Sequence, residues 1–295
     1  MRLQPLLLRS PMPREFSDPY TYPGTRTLRN IPGIRDDGVL RDYEYERSEL
    51  RIAQLRDNPI PGKFDLDHLK AIHAHVFQDV YEWAGKTRTV NISKNSDSFC
   101  QPAFIESYAK QVSGQLAKEN GLQGLEKPQF VERLALYYSD WNALHPFREG
   151  NGRATRELIG QMARSAGYEL DQTRIDNDKD RWNAAARSSF HGDLAPVKEI
   201  FAEALRPSRA IAFENLPEAE AVAKFPELRR AFEGLRAIED IARASLAGQP
   251  DQVAGYMQQI RAEFVKRLEQ GQPLERERIS PANEPTRAPE RDRGR

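Results

Sequence analysis

The chain has 295 residues, of which 39% are hydrophobic and 30% charged, with 44 basic and 44 acidic side chains. The low apolar share predicts that part of the chain lies outside a packed core, and the neutral balance argues against a nucleic-acid-binding protein. A single cysteine, Cys100, excludes an intramolecular disulfide and suits a reducing cytoplasm. Neither a membrane-spanning run of about 18 apolar residues nor a signal peptide is found, so we expect no membrane partner.

The N-terminal part is predicted to be an extended arm followed by two helices. Residues 11–38 are rich in Pro, Gly, Asp and Arg without a sustained period, which is typical of a segment lying over a domain. A loosely helical pattern over 40–55 stops before Asn58-Pro59. Asp65 can cap a second helix through residue 75, whose apolar residues recur every three or four positions.

A change of period then predicts one small β-hairpin. Thr87, Thr89, Val90 and Ile92 favour a strand over residues 86–93, and residues 94–98 supply turn formers before Phe99. Helical patterns follow at 103–119, 128–144, 152–166, 178–189 and 196–205.

The C-terminal part is predicted to be a helical hairpin and a disordered end. Apolar stripes over 228–241 and 253–268 indicate two helices, whereas alternating Arg and Glu after residue 271 cannot offset the entropy of folding. We therefore predict an all-α fold with one β-hairpin, divided into an arm (1–38), a helical catalytic domain (39–206), a helical appendage (207–270) and a charged, disordered tail (271–295).

The segment that indicates chemistry is His-Pro-Phe-Arg-Glu-Gly-Asn-Gly-Arg-Ala-Thr-Arg, residues 145–156, between two predicted helices. Pro146 disfavours helical backbone at His145, so the imidazole should lie at the mouth of a loop. The two glycines around Asn151 tolerate positive φ, and the amides that begin the next helix form an anion site. Neutral imidazole, with an ordinary pKa of about 6.5, can accept a hydroxyl proton, which makes His145 the candidate general base.

Charged residues around this turn indicate a metal-bound polyphosphate. Arg153 and Arg156 are three positions apart near the positive end of the predicted helix, so both can bind phosphate oxygens from one face. A carboxylate at Glu149 would repel a phosphate unless it holds a Mg²⁺ that bridges the phosphate oxygens. The set predicts a nucleotide with several phosphates and Mg²⁺.

This twelve-residue segment resembles the signature of the Fic (Fido) family, His-Pro-Phe-x-Asp/Glu-Gly-Asn-Gly-Arg-x-x-Arg, at every defined position. Residues 18–30 look like the family's lead-in and residues 81–88 like the start of its flap, so the resemblance covers roughly 16–206. It implies a Fic-fold helical bundle that uses Mg²⁺ and ATP to move AMP onto a Ser, Thr or Tyr hydroxyl of a protein, releasing pyrophosphate. The chain would then be a toxin-like protein adenylyltransferase.

Site residues follow from the resemblance by position. His145 would be the base and Glu149 the Mg²⁺ ligand. The implied nucleotide and phosphate contacts are Arg148, Gly150, Asn151, Gly152, Arg153, Arg156 and, at the flap tip, Lys94 and Asn95. The flap would dock a target segment by strand addition, through Thr87, Arg88, Val90, Ile92 and Phe99.

Two comparisons within the family refine this hypothesis. Doc-type kinases have Lys where this chain has Gly152, and phosphocholine transferases depart at the position of Gly150, so AMP transfer is favoured. The family's inhibitory Ser/Thr-x-x-x-Glu-Gly/Asn motif is absent from the sequence. The resemblance therefore implies a separate small helical antitoxin that supplies an inhibitory Glu to Arg156.

Several alternatives stay open. His73 and His75 point about 200° apart on a helix, so one solvated and one packed histidine are favoured over a metal pair. Trp182 and Asn183 either line an adenine pocket or belong to the core. We expect the protein to be located in the cytoplasm, with translocation into another cell as the alternative. The alternative function is an adaptor or translocated interaction protein whose C-terminal helices are the working part.

Overall fold

A computed structural model of the chain describes residues 18–94 and 97–272. The predictions for residues 1–17, for Asn95 and for the tail after 272 lie outside these ranges. The N-terminal elements are α1 (Asp37–Asp57), α2 (Leu66–Phe77), β1 (Ser93–Lys94), β2 (Asp97–Ser98), α3 (Ile105–Lys118), α4 (Lys127–Leu144) and α5 (Asn151–Ser165). The C-terminal elements are β3 (Tyr168–Leu170), α6 (Gln172–Asn177), α7 (Lys179–Phe190), α8 (Ala195–Ala204), β4 (Leu205–Pro207), α9 (Ser208–Asn215), α10 (Glu218–Lys224), α11 (Leu228–Ser245) and α12 (Pro250–Glu269).

The predicted helical fold with a small β-hairpin is confirmed. Each predicted helix is present with ends shifted by a few residues, and Asp65 caps α2 by accepting the His68 amide at 2.9 Å. The short helices α6, α9 and α10 were not predicted, because six to eight residues are too few for a clear helical period. Within the described ranges, no helix combines the length and apolar composition needed to span a bilayer.

The hairpin is shorter than predicted. β1 and β2 are antiparallel and contain two residues each, so residues 87–92 form no strand, contrary to the prediction. The reason is a different set of partners: the Arg88 amide donates to the Pro146 carbonyl at 2.8 Å, and its side chain donates to the Val90 carbonyl at 2.8 Å. The segment is thereby attached to the loop between α4 and α5 instead of to a neighbouring strand.

A second antiparallel pair, β3 with β4, escaped the sequence analysis. Three residues of each strand pair, Leu170 opposite Leu205 and Tyr168 opposite Pro207. This ladder joins the segment after α5 to the end of α8, across more than thirty positions of sequence. Strands this short show no alternation that periodicity can detect.

Three apolar clusters build the interior of the described residues. The largest packs α2, α4 and α5 around Phe77, Trp141 and Phe147, all fully buried. A second, around Phe213 and Phe232, lies among α9 to α12, and the smallest lies between α11 and α12. The predicted end of the catalytic domain at residue 206 falls between the largest cluster and the other two. However, β4 contacts both α9 and α12, so the two parts touch. The domain boundaries therefore stay a prediction.

The described part of the arm lies against the segment that follows α2. Tyr20 meets Trp83 edge to face with ring centroids 5.6 Å apart, and the Ile31 amide donates to the Val80 carbonyl at 2.8 Å. An Asn30 side chain closes the turn before α1 by bonding the backbone of Leu28 and Ile34. The arm is therefore attached to the core beside the flap.

Gly85 offers a test of how tightly the flap base is packed. Its φ is +77°, and a Cβ there would lie 2.8 Å from the Ala74 Cβ and 2.9 Å from the Lys70 carbonyl oxygen. We expect Gly85→Ala to lower the free energy of unfolding by about 2–4 kcal/mol, from backbone strain plus overpacking. The measurement is urea denaturation. Gly124→Ala is the matched control, because its φ is +79° with nothing within 4 Å, and about 1 kcal/mol is expected there. Equal losses would contradict the packing argument.

Candidate active site

Most of the predicted site residues surround a single cavity of about 490 Å³. The predicted residues that line it are Ile92, Lys94, Phe99, His145, Arg148, Glu149, Gly150, Asn151, Gly152, Arg153 and Arg156. Residues not assigned to the site by the motif complete the wall: Ser93, Tyr138, Asn142, Asp176, Lys179, Trp182, Asn183 and Ala186. None of these residues belongs to α9–α12, so the C-terminal helices take no part in the described cavity.

His145 ends α4, and its imidazole is held in the neutral form. Its backbone is left-handed at φ 43°, in agreement with the predicted end of the helix before Pro146. Its ring Nδ1 lies 2.6 Å from the Asn142 carbonyl oxygen, which can only accept, so Nδ1 carries the proton and Nε2 is the free acceptor. Burial lowers the pKa of His145 to about 4, and the nearby cations Arg88 and Lys94 act in the same direction.

The loop after His145 is closed by Asn151. Its side-chain oxygen accepts the Phe147 amide at 2.8 Å, and its nitrogen donates to the Phe147 carbonyl at 2.8 Å. The side-chain amide of Asn151 is thus occupied by contacts within the loop. The predicted contact of Asn151 with phosphate would therefore have to come from its backbone amide. The amides of residues 151–153 have no intrahelical acceptor, since the Ala154 amide donates to the Gly150 carbonyl at 3.1 Å.

Gly150 has to be glycine where this loop enters α5. Its φ is +79°, and a Cβ would lie 2.3 Å from the buried Phe77 ring. By contrast, a Cβ at Gly152 would meet nothing within 4 Å, and this residue is exposed at the start of α5. The first turn of the helix therefore has open space beside it, as an anion site requires.

The two motif arginines both have acidic partners. Arg153 donates to Glu44 and, at 2.8 Å, to the Ser48 hydroxyl on α1, and its guanidinium lies over the Phe77 ring at 4.7 Å. Arg156 donates to Asp176 on α6 at 2.6 Å. The Glu44 side chain is 11% exposed and also accepts the Tyr81 hydroxyl, whereas the Asp176 side chain is 36% exposed. The carboxylate that holds Arg153 is therefore enclosed, whereas the one that holds Arg156 is open to solvent.

Arg148 connects the loop to the N-terminal arm. It lines the cavity, but its guanidinium donates to Asp18 at 2.7–2.8 Å. If Arg148 also bound a phosphate, the phosphate would have to share the guanidinium with the Asp18 carboxylate. The contact that the structure shows is the one that holds the arm against the loop.

Glu149 is suited to bind magnesium together with the phosphates of a substrate. It is exposed on the cavity wall, and one carboxylate oxygen accepts the Gly150 amide at 2.9 Å, which leaves the other oxygen for a cation. The described residues contain no group of three or more His, Cys, Asp or Glu side chains suited to a metal. One carboxylate combined with substrate phosphates is how Mg²⁺ is commonly bound, so the residues present fit that ion.

His73 supports the loop after His145 through contacts that the sequence did not predict. It is fully buried, its Nε2 donates to the Glu149 carbonyl at 2.9 Å, and its Nδ1 accepts the Gly85 amide at 2.9 Å. Its ring stacks on Phe147 with centroids 3.8 Å apart, and burial lowers its pKa to about 3. The signal was its place beside the apolar residues Leu69, Ile72 and Val76 of α2, which indicates a buried polar group.

The flap predictions need one correction. Arg88, predicted to dock a target, is 2% exposed and donates to the carbonyls of His145, Val90 and Cys100, so it holds the flap and offers no docking surface. Thr87 and Val90 lie outside the cavity wall, while Ile92, Lys94 and Phe99 lie on it. Trp182 both lines the cavity and packs on Tyr138 with ring centroids 4.9 Å apart, so its two interpretations are compatible.

The His73 contacts predict a specific stability loss. In His73→Phe, the Glu149 carbonyl and the Gly85 amide would lose the partner that the imidazole supplies, at a cost of about 2–4 kcal/mol in the free energy of unfolding. Urea denaturation measures this. His75→Phe is the control, because the His75 Nε2 finds no partner among the described residues and we expect a change of about 1 kcal/mol or less. Equal losses in both variants would exclude a special role for His73.

Comparison with known proteins identifies the family of the chain. Residues 63–163 match the model of the Fic/DOC family. The chain is 46% identical over 177 residues to protein adenylyltransferase VbhT of Bartonella schoenbuchensis, covering 60% of this chain and 37% of VbhT. It is 41% identical over 189 residues to the probable protein adenylyltransferase Fic of Escherichia coli, covering 64% of this chain and 92% of that protein.

Solved structures lead to the same family. The crystal structure of the Bartonella tribocorum effector BepC with bound AMPPNP has a TM-score of 0.58 and 29% identity, covering 64% of this chain and 96% of that chain. A Fic domain from Bartonella quintana with bound ADP has a TM-score of 0.60 and 28% identity, covering 65% of this chain and 96% of that chain. The resemblance found in residues 145–156 is thus confirmed, and the chain belongs to the Fic/DOC family.

Proposed function

We propose that this chain is a protein adenylyltransferase, which transfers AMP from ATP to a Ser, Thr or Tyr hydroxyl of a target protein and releases pyrophosphate. The observation that carries the proposal is the neutral His145, with Nε2 free to accept a proton, on the wall of a cavity that also contains the start of α5 and Arg156. Relatives named protein adenylyltransferase, at 40–46% identity, support the same reaction.

The residues divide the work as follows. His145 Nε2 takes the proton of the target hydroxyl as the oxygen forms a bond to the α-phosphorus, and the bond from that phosphorus to the pyrophosphate oxygen breaks. The Asn142 carbonyl keeps the imidazole in the required tautomer. The amides at the start of α5 bind phosphate oxygens, and Arg156 binds the terminal phosphate. Positioning and charge stabilisation supply the catalysis, and no covalent enzyme intermediate is needed.

Magnesium would be held by the free oxygen of Glu149 together with the substrate phosphates. When bound there, Mg²⁺ neutralises negative charge on the phosphates of the leaving pyrophosphate. The Gly150 amide bonds the other carboxylate oxygen and His73 bonds the Glu149 backbone, and these contacts support Glu149 as the proposed ligand.

The target is proposed to approach along the flap. Residues 87–92 lie outside both described ladders, and an added strand is proposed to pair along Thr87, Val90 and Ile92 with the backbone groups that the contacts to Pro146 and Phe99 leave free. Elsewhere in the lining of the cavity, Trp182 and Asn183 are proposed to receive the adenine, because an aromatic ring beside a polar amide suits a purine.

Inhibition is proposed to come from a separate small helical antitoxin that presents a Glu to Arg156. The support is the absence of the family's inhibitory motif from the sequence, together with the position of Arg156 on the cavity wall. The toxin-like role and a cytoplasmic location belong to the same proposal, with translocation as the alternative. The isolated chain should be active as purified, and activity that appears only after removal of one of its own segments would overturn the antitoxin proposal.

The test of the reaction is label transfer from ATP to proteins of a bacterial lysate. Label at the α-phosphate should appear on protein and label at the γ-phosphate should not, and the transfer should be lost in His145→Ala but kept in His75→Ala. Circular dichroism would establish that both variants are folded. Transfer of the γ label would identify a kinase, and α transfer that survives His145→Ala would remove His145 as the base.

The Arg156–Asp176 pair predicts an effect on nucleotide binding. Because a terminal phosphate must compete with Asp176 for Arg156, we expect Asp176→Asn to lower the KM for ATP about fivefold, equivalent to about 1 kcal/mol. Asp180→Asn is the control, since Asp180 is exposed in the first turn of α7 and does not line the cavity. A higher KM in Asp176→Asn would mean that Asp176 orients Arg156 for the phosphate.

A further inference from the structure

Phe99, at the end of the flap, covers the imidazole of His145. The two rings are stacked with centroids 3.7 Å apart and planes inclined by 12°. Phe190, the last residue of α7, meets the Phe99 ring edge to face at 5.5 Å and 75°. The Phe99 ring is therefore held between the proposed base and the end of another helix.

Backbone contacts on both sides hold Phe99 in this place. Its amide donates to the Ile92 carbonyl across the hairpin at 3.3 Å, and the next amide, of Cys100, donates to the Ala143 carbonyl in α4 at 3.2 Å. The Cys100 carbonyl accepts from the buried Arg88 side chain. The end of the flap is thus bonded to the same helix end that carries His145.

The remaining surroundings of His145 are polar and cationic. Asn142 binds Nδ1 through its carbonyl, and Arg88 and Lys94 are the charged groups that act on the ring. Phe99 is the stacked apolar group, and it excludes water from one face of the imidazole. Without that cover, water could solvate an imidazolium, and the ring would gain freedom to rotate about its side-chain bonds.

We propose that Phe99 is a positioning residue, which keeps His145 oriented, dry and neutral so that the folded flap prepares the base for proton transfer. The role rests on the proposed function, because it takes His145 as the base. It differs from the docking role expected from the sequence, in which the Phe99 ring would face a target. The ring is instead stacked on a residue of the enzyme itself.

The first test reads His145 directly by NMR titration of the histidine ring signals in the full chain. The His145 signal is assigned among the five histidines by its loss in His145→Ala. The midpoint is expected at about 4 in the unmodified chain, and to rise by one unit or more towards 6.5 in Phe99→Ala. Phe99→Tyr should restore the low midpoint, since it keeps the stacked ring. Phe104→Ala is the control, because Phe104 is 58% exposed.

The second test is kinetic. Neutral imidazole is the active form, so activity is lost as pH falls through the pKa of His145, and Phe99→Ala should move this loss to higher pH. At neutral pH we expect kcat to fall about tenfold from misorientation, with the KM for ATP unchanged and with rescue by Phe99→Tyr. A purely structural role would lower the amount of folded protein without moving the acid limb of the pH profile.

The outcomes separate the two proposals. A raised NMR midpoint in Phe99→Ala supports the inference even when no AMP transfer is detected, in which case the proposed function fails alone. An active enzyme that needs His145, but whose midpoint and kcat do not change in Phe99→Ala, overturns the inference alone. A change confined to the KM for the target protein would also overturn it, because that result assigns Phe99 to docking.

Discussion

The buried guanidinium of Arg88 is the contact on which the arrangement of the site depends. A cation out of water has to be surrounded by acceptors, and here the acceptors are backbone carbonyls of the flap and of the end of α4, among them those of Val90, Cys100 and His145. The end of α4 also carries the negative end of the helix dipole, which favours a cation. One side chain thereby sets where the flap begins, where it returns and where the backbone of the base lies.

Three arginines of the cavity wall are each paired with a carboxylate, and the pairs differ in how deeply the carboxylate is buried. Arg148, Arg153 and Arg156 each face one carboxylate, supplied by the arm, by α1 and by α6 respectively. The cavity wall carries five basic and two acidic side chains, an excess that the whole-chain balance of zero conceals. What distinguishes the pairs is burial: the partner of Arg153 is almost enclosed, and that of Arg156 lies at an open wall.

Local sequence predicted much of this site, but few of the long-range contacts that hold it in place. The turn at Gly150, the end of α4 at His145 and the start of α5 follow from residues adjacent in sequence, and the family signature placed them together. The roles of Arg88 and His73 depend on carbonyls 57 and 76 positions away, which no local period encodes. The same cause explains why residues 87–92 were expected to form a strand: their composition favours one, but their partners belong to another loop. Short elements such as β3 and α6 lie below the length at which a pattern can be distinguished.

The contact between Arg153 and Glu44 has a consequence for the order of folding. It joins α5 to α1 across 109 positions, and the contact between Arg148 and Asp18 spans 130. Contacts so distant in sequence form late, because the chain must first be confined at high entropic cost. A partly folded chain in which only α4 and α5 have formed therefore has Arg148 and Arg153 without the carboxylates that hold them. This side of the cavity takes its final arrangement only when α1 and the N-terminal arm have packed against α5 and the loop before it.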